Sequence, residues 1–450
     1  MRGFRSTGAR GEGAVTFAEA VFAGQAPDGG LFVPDSVPAL DVHALLGRSF
    51  ARRASLVLDA WLGGEIAPSI LATLCERAFN FPVPLVPIPA GVTLVELFHG
   101  PTAAFKDIGA RFLAHAVALL RDPERPLTIL VATSGDTGSA VAHAFARIPA
   151  ARVVLLYPAG RVSPLQELQL TAVPENVISL CVEGTFDDCQ AMVKAAFADA
   201  ELVQSVGLTS ANSINIGRLL PQTTYYVHAA LEFLEAMPRA GAGMPRRVRP
   251  STAAAALPIV VVPSGNLGNL TAGLLAKRQG APLGKFVAAV NRNDAFARWL
   301  ATGKMRRERA VQTPSNAMDV ADPSNLARLQ ALWPRAPESL RADLAAAVVS
   351  DAETLEEIRA THVATKRLVC PHTAVGLAAL RRYRAESGDE SPALVLATAH
   401  PGKFPEVVRD ATGITPPLPP SLSHLEPLRR APRMVRADAA ALRALLRRLA

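Results

Sequence analysis

Lys106 stands directly after Phe105 in the run His99-Gly-Pro-Thr-Ala-Ala-Phe-Lys-Asp-Ile108, where a loop is expected to enter a helix over Asp107–Leu120. Apolar neighbours and the positive end of a helix dipole both lower the pKa of an amine so placed. That suits an amine that forms a Schiff base with an aldehyde cofactor. Taken alone, a lysine in this context is more often a solvated residue at a helix start.

Two further segments have the design of anion sites. Thr133-Ser-Gly-Asp-Thr-Gly-Ser139 follows the apolar run Leu127–Ala132 and precedes a helical stretch. Strand, small-residue loop and helix N-terminus together converge backbone N–H groups on an anion, and Thr133, Ser134 and Thr137 add hydroxyls. The run lacks the Gly-Lys-Ser/Thr ending of a Walker loop. Pro263-Ser-Gly-Asn-Leu-Gly-Asn269 follows the apolar run Ile259–Val262, with Gly265 and Gly268 permitting close backbone approach and Asn266 and Asn269 adding amides around Leu267. Its spacing is not the dinucleotide fingerprint. Taken singly, each loop also reads as a capped or glycine turn. Arg218, in Asn212-Ser-Ile-Asn-Ile-Gly-Arg218, would offer a forked anion ligand. Thr398, after the run Leu394–Ala397, would offer a hydroxyl at a strand end to a heteroaromatic nitrogen or to nearby backbone. His372 and His400 have no carboxylate or thiol company at ligand spacing, so no metal site is expected.

The elements that must position these residues follow from the alternation of short apolar runs with alanine-rich helical stretches beyond residue 93. Strands are expected at Thr93–Phe98, Leu127–Ala132, Arg152–Tyr157, Ile259–Val262, Phe286–Val290 and Leu394–Ala397. Helices are expected at Gly138–Arg147, Phe186–Ala198 and Leu270–Gln279. Such alternation predicts an α/β fold with open parallel sheets and helices on both faces. Residues 1–90 read as a separate, largely helical unit closed by Pro82, Pro84, Pro87 and Pro89. Met237–Leu257 reads as a connection without periodicity, and Asp438–Leu449 as an amphipathic terminal helix docked by its leucines.

The chain has 450 residues, half of them apolar and 19% charged, which predicts a multidomain globular protein. Its net charge of +8 comes from scattered arginines without interleaved aromatics, so an anionic small substrate is expected rather than nucleic acid. Cys75, Cys181, Cys189 and Cys370 lack paired spacing and read as reduced, buried thiols. With no secretory h-region and no long apolar span, the expectation is a soluble, cytoplasmic protein without membrane contact. Oligomeric state is left open.

In order and separation, these segments resemble the threonine synthase family, in the tryptophan-synthase-β group of pyridoxal-phosphate enzymes. The resemblance runs from Arg5-Ser-Thr7 and Ala26–Pro34 through HGPTAAFKDIGARF, TSGDTGSAVAHAF, YPAGRVSPLQELQLT, VEGTFDDCQAMVK, NSINIGRLLPQ and PSGNLGNLTAG to SNAMDV, PHTAVG and TAHPGKF. It implies fold type II, with an N-terminal mainly helical domain over 1–92 and a catalytic region over 93–430 holding a small subdomain at about 110–225, then a C-terminal helix over 431–450. It implies pyridoxal 5′-phosphate as cofactor, with Lys106 as its Schiff-base partner and proton carrier. Gly265, Asn266, Leu267, Gly268 and Asn269 would hold the cofactor phosphate, Thr398 the pyridine nitrogen, and Asp136 would lie near the 3′ oxygen. Thr133, Ser134, Thr137, Asn212 and Arg218 would bind substrate, and the implied reaction turns O-phospho-L-homoserine and water into L-threonine and phosphate. A phospho-lyase releasing 2-ketobutyrate, a hydroxyamino-acid dehydratase and a non-catalytic cofactor-binding relative are the alternatives. Ala159, Cys370 and Leu267 depart from the family pattern, where lysine, aspartate and an aromatic are common.

Overall fold

The computed structural model describes residues 3–8, 13–146, 148–236, 257–306 and 308–449. Two open sheets organise it. The larger has strand order Leu344–Val348, Phe286–Val290, Ile259–Pro263, Ala393–Ala397, Val92–Glu96 and Leu85–Ile88. All neighbours in it are parallel except the last pair. Its central strands are buried on both faces, as continuous Val, Ile, Leu and Ala runs require. The smaller sheet has strand order Met434–Arg436, Val177–Glu183, Ala151–Pro158, Leu127–Ala132 and Leu208–Thr209, parallel throughout.

The predicted strands are present, with ends shifted by one or two residues. The helix expected at Gly138–Arg147 instead spans Asp136–Phe145, because Gly135 takes the positive φ of 124° from which the chain enters its first turn. The proline cluster does not simply close the N-terminal region. Leu85–Ile88 pairs antiparallel with Val92–Glu96 at the sheet edge, the one place where Pro87 costs no ladder bond. Val177–Glu183 and Met434–Arg436 were not expected, and neither were the long helices Asp351–Thr365 and Pro371–Ser387. The Asp351–Thr365 helix is polar around most of its circumference, which hides the apolar stripe. The connection expected at Met237–Leu257 lies, but for Leu257, outside the described residues.

The N-terminal region is helical as expected, but its core is not its own. Phe17 packs on Phe112 at 6.4 Å between ring centroids, and Phe79 stacks on Phe112 at 6.3 Å. Phe112 belongs to the helix Lys106–Leu120, so the amino-terminal helices press directly on the element that carries Lys106. A buried ion cluster makes a second join. Arg53, in the helix Phe50–Leu62, is fully buried and donates to both Glu235 oxygens at 2.9 Å and to the Leu45 carbonyl at 3.0 Å. It also meets His228 Nδ1 at 2.9 Å. Burial first, and then Arg53, push His228 down to about 4, so its ring is neutral near pH 7 and accepts that bond. At the other terminus, Leu442 and Leu446 of the helix Ala439–Arg447 pack on Cys189 and Met192 against the small sheet.

Arg53→Ala strands the carboxylates of Glu235 and of Glu232, which also pairs with the guanidinium at 2.5 Å, and both retain partial access to water. It is expected to lower stability by about 3 kcal/mol, read as a lower urea midpoint at unchanged slope.

Candidate active site

Three neighbouring strands of the large sheet end at the same place. Val92–Glu96 leads into the loop that delivers Lys106, Ala393–Ala397 ends at Thr398, and Ile259–Pro263 ends at Ser264 and Gly265. Crevices outside the carboxyl ends of parallel strands are where open α/β sheets take ligands. The loop before Lys106 is stitched to the Thr398 strand end: Phe105 N–H donates to the Thr398 carbonyl at 2.9 Å, and Ala104 bridges Ala399. From the small sheet, Leu127–Ala132 brings the loop Thr133–Thr137 to the same crevice. The resulting cavity, of about 130 Å³, is lined by every residue expected to act in catalysis or to bind cofactor or substrate: Lys106, Thr133, Ser134, Asp136, Thr137, Asn212, Arg218, Gly265 to Asn269, and Thr398. It opens past Ser134, Asn316 and Asp319 into an outer cleft of about 620 Å³ that also holds Arg161 and Arg309.

The loop 264–269 is braced from behind. Leu267 takes a left-handed φ of 61° and is buried, and the helix Gly268–Arg278 starts immediately after it. A Cβ on Gly265 would stand 2.9 Å from the Ala317 carbonyl oxygen, so only glycine fits against the loop that carries Met318. Asn266 does not reach out with its amide. Its Oδ1 accepts from Ser324 N–H at 2.6 Å, and its Nδ2 donates to Ser213 Oγ at 2.6 Å. Asn269 is held differently: its Oδ1 accepts from the Tyr225 and Tyr226 hydroxyls at 2.5 and 2.6 Å, leaving Nδ2 buried without a partner. An unpaired buried donor at a helix N-terminus fits an anion such as a phosphate monoester.

The opposite wall is cationic. Arg218 is buried and spends one N–H on the Ala211 carbonyl at 2.5 Å, with Nε unpartnered. Burial pushes its pKa down to about 10, which still leaves it charged near pH 7. Gly109 makes room for it, since a Cβ there would meet Nε at 2.9 Å. Asn212 Oδ1 is also buried and unpaired. Thr133 Oγ1 accepts from Gly135 and Gly138 N–H at 3.0 and 2.8 Å, so this hydroxyl shapes the loop and keeps only its proton to give. Lys106 Nζ lies 3.7 Å from Asp136 Oδ2, and Lys403 Nζ lies 2.8 Å from Asp136 Oδ1. Burial acts to raise the Asp136 pKa, but Lys403 and Lys106, with hydrogen bonds from Lys403 and Gln166, hold it far below the usual carboxylate range. Lys106 is pulled below the usual range for an amine, by burial first and by Lys403 and Arg218, with Asp136 opposing.

Lys403, Ser213 and Asn316 complete the surroundings and were not singled out, and His372 was weighed only as a metal ligand, although all four lie inside motifs noted in the sequence. His372 Nε2 accepts from Ala317 N–H at 3.2 Å, and burial pushes its pKa down to about 4, so it is neutral near pH 7.

With this geometry in view, relatives become informative. Residues 78–399 match the family described as pyridoxal-phosphate dependent enzyme, residues 3–79 the threonine synthase N terminus, and residues 373–446 the threonine synthase C-terminal family. The threonine synthase of Haemophilus influenzae is 42% identical over 91% of both chains. The chain belongs to the threonine synthase family. The crystal structure of threonine synthase from Escherichia coli superposes with a TM-score of 0.87 at 39% identity over 100% of both chains. That of pyridoxal-phosphate-bound threonine synthase from Brucella melitensis gives 0.87 at 32% identity, over 100% of this chain and 99% of that one. The architecture is accordingly fold type II, and the family's cofactor is pyridoxal 5′-phosphate. The cavity suits that cofactor chemically, with a buried amine, an anion-seeking helix start and an unpaired amide donor around one space.

Asn269→Ala removes the short side-chain acceptor of the buried Tyr225 and Tyr226 hydroxyls, which keep only longer bonds, to Gln222 Oε1 at 3.2 Å and to the backbone carbonyl of position 269 at 3.0 Å. A loss of about 2 kcal/mol is expected, read by thermal unfolding.

Proposed function

We propose that this chain converts O-phospho-L-homoserine and water to L-threonine and phosphate, with Lys106 as the cofactor-bearing amine. The observation that supports it most is the pairing, in one cavity, of a buried lysine with two separate anion-seeking walls. The loop 265–269 and its helix start face from one side, and Arg218 with the Thr133–Thr137 loop from the other. A substrate bearing both a carboxylate and a phosphate needs anion ligands beyond those a phosphate cofactor occupies.

Pyridoxal 5′-phosphate, when bound, supplies an electron sink for charge developing at the substrate's α and β carbons. Gly265 to Asn269 would hold its phosphate, Thr398 would offer a hydroxyl to the ring nitrogen, and Asp136 would lie near the 3′ oxygen. Freed Lys106 takes the α proton and then a β proton. Its pKa, lowered chiefly by burial, makes it give up its proton more readily than an exposed lysine does. It returns a proton to the γ carbon after phosphate has left. Arg218 binds the leaving phosphate with the N–H groups it does not spend on Ala211, and Asn212 adds its amide. Ser134, Thr137 and the backbone N–H groups of their loop receive the substrate carboxylate. The outer cleft beside Ser134 and Asn316 is the route for substrate and water.

The division into 1–92, 93–430 and 431–450 is part of this proposal, with the smaller sheet as the mobile wall of the cleft. So is a cytoplasmic setting, in keeping with four unpaired, buried cysteines. Among the described residues no helix is long and apolar enough to cross a membrane.

The decisive assay supplies O-phosphohomoserine to the parent and to Lys106→Ala and quantifies threonine, phosphate and 2-ketobutyrate together. Equal threonine and phosphate from the parent are expected, with turnover down by about 10³-fold or more in the variant. Phosphate with 2-ketobutyrate would instead make the chain a phospho-lyase. Arg218→Lys keeps the charge and loses the fork. Its kcat/KM is expected to fall about 30-fold, matching about 2 kcal/mol for a charge-assisted hydrogen bond.

A further inference from the structure

Among the described residues Lys403 is the one lysine besides Lys106 that reaches the site's central carboxylate, and the reaction as proposed gives it no part. It ends the short turn Pro401–Lys403, a few residues past Thr398, and its side chain is fully buried. Its Nζ donates to the Thr102 carbonyl at 2.9 Å and lies 2.8 Å from Asp136 Oδ1. Its backbone carbonyl accepts from Ser163 Oγ at 2.9 Å. Thr102 belongs to the loop that delivers Lys106. Asp136 starts the helix Asp136–Phe145, and Ser163 caps the helix Pro164–Thr171; both helices lie beside the small sheet. Lys403 therefore ties the lysine-bearing loop to both helix starts, through its ammonium to Asp136 and through its backbone carbonyl to Ser163.

A cation buried so completely is costly unless its partners are well placed, and removing one partner of such a pair is costlier still. The partner here points two ways. Asp136 Oδ1 also accepts from Gln166 Nε2 at 2.9 Å, and Gln166 Oε1 in turn accepts from Asn316 Nδ2 at 3.1 Å at the mouth of the cavity. The other oxygen, Oδ2, is the one that faces Lys106.

We propose that Lys403 is a positioning residue for the reaction: it holds Asp136 ionised with one oxygen engaged, so that the other stays set against Lys106 and governs when that amine carries a proton. The inference rests on Lys106 being the reacting amine. The charged and titratable groups around Lys106 are Asp136 and Lys403, Arg218 from the turn Ile216–Leu219, and His372 from the start of the helix Pro371–Ser387. Lys403 in addition faces Asp107 and His400. Burial of His372 and His400 lowers both to about 4, so neither ring is charged near pH 7. That leaves two cations, Lys403 and Arg218, opposing a proton on Lys106, and one anion, Asp136, favouring it. Removing the Lys403 charge while Asp136 remains takes away a repulsion and frees the carboxylate for Lys106 alone. The amine then keeps its proton to higher pH.

The test is trace acylation of full-length protein stripped of cofactor, followed across pH, with Lys106 labelling read by mass spectrometry and exposed Lys304 as internal control. In Lys403→Met the midpoint for Lys106 is expected to rise by about one pH unit relative to the parent. In Lys403→Arg, which keeps the charge, it should return most of the way. The acid limb of kcat/KM in the reloaded enzyme should move in the same sense. Should Lys403→Met not fold, Lys403→Gln replaces it, being neutral yet able to donate to the Thr102 carbonyl. An unchanged or lower Lys106 midpoint in a folded neutral variant overturns the inference and leaves Lys403 as packing alone. The midpoint is read on Lys106 whatever the enzyme turns over, so a wrong substrate leaves this result standing. Undiminished turnover of Lys106→Ala would remove the premise while leaving the midpoint measurable.

Discussion

The buried carboxylate of Asp136 between Lys106 and Lys403 is the interaction on which the site depends. A lysine sealed among apolar groups loses its proton easily, and two lysines brought within reach of one another lose theirs more easily still. Without an anion between them, the strand end carrying Lys403 and the loop carrying Lys106 would repel at the point where they must converge. Asp136 offsets both charges, one at 2.8 Å and one at 3.7 Å, and the asymmetry assigns them different duties. The tightly paired lysine is sealed from solvent, and the loosely paired one lines the cavity.

The surrounding architecture serves that convergence. Parallel strands release their loops at a common edge, so residues distant in the chain meet without any long excursion of backbone. The loops are then stiffened by bonds that have nothing to do with ligand. Arg328 is the clearest case: it is buried, and it donates to the Phe32, Ser213 and Ile214 carbonyls and to Asn325 Oδ1. It thereby ties the amino-terminal segment to the turn before Arg218 and to the residue bracing Asn266 through its carbonyl. The amino-terminal helices thus belong to the active site mechanically. They press on Phe112, the helix partner of Lys106, although the lining of the cavity includes none of their residues.

The departures from the family pattern fall where this construction tolerates them. Leu267 replaces an aromatic, but what its position contributes is a left-handed backbone and a buried apolar side chain, and leucine supplies both. Cys370 caps the helix Pro371–Ser387, its sulfur accepting from Thr373 N–H at 3.5 Å, a longer version of the bond an aspartate would make. Ala159 lies just beyond the strand Ala151–Pro158 and touches no part of the cavity.

Much of this was legible in the chain itself. Apolar runs of strand length followed by small-residue loops located Lys106, the two glycine loops and Thr398, because these features are local: a strand end, a positive φ and a helix start leave their marks within a few residues. What neighbours in the chain cannot express is partnership. Asn266 and Asn269 look alike in sequence, yet the first is spent on Ser324 and Ser213 while the second keeps its Nδ2 unpaired, since each answers to residues far away. Lys403 stood in plain view in its motif, but its value comes from Asp136 and Thr102, hundreds of residues earlier in the chain. Local sequence determines which groups are available and on what kind of turn. Burial and pairing, which set their charge and reactivity, are decided only when the two sheets close on one another.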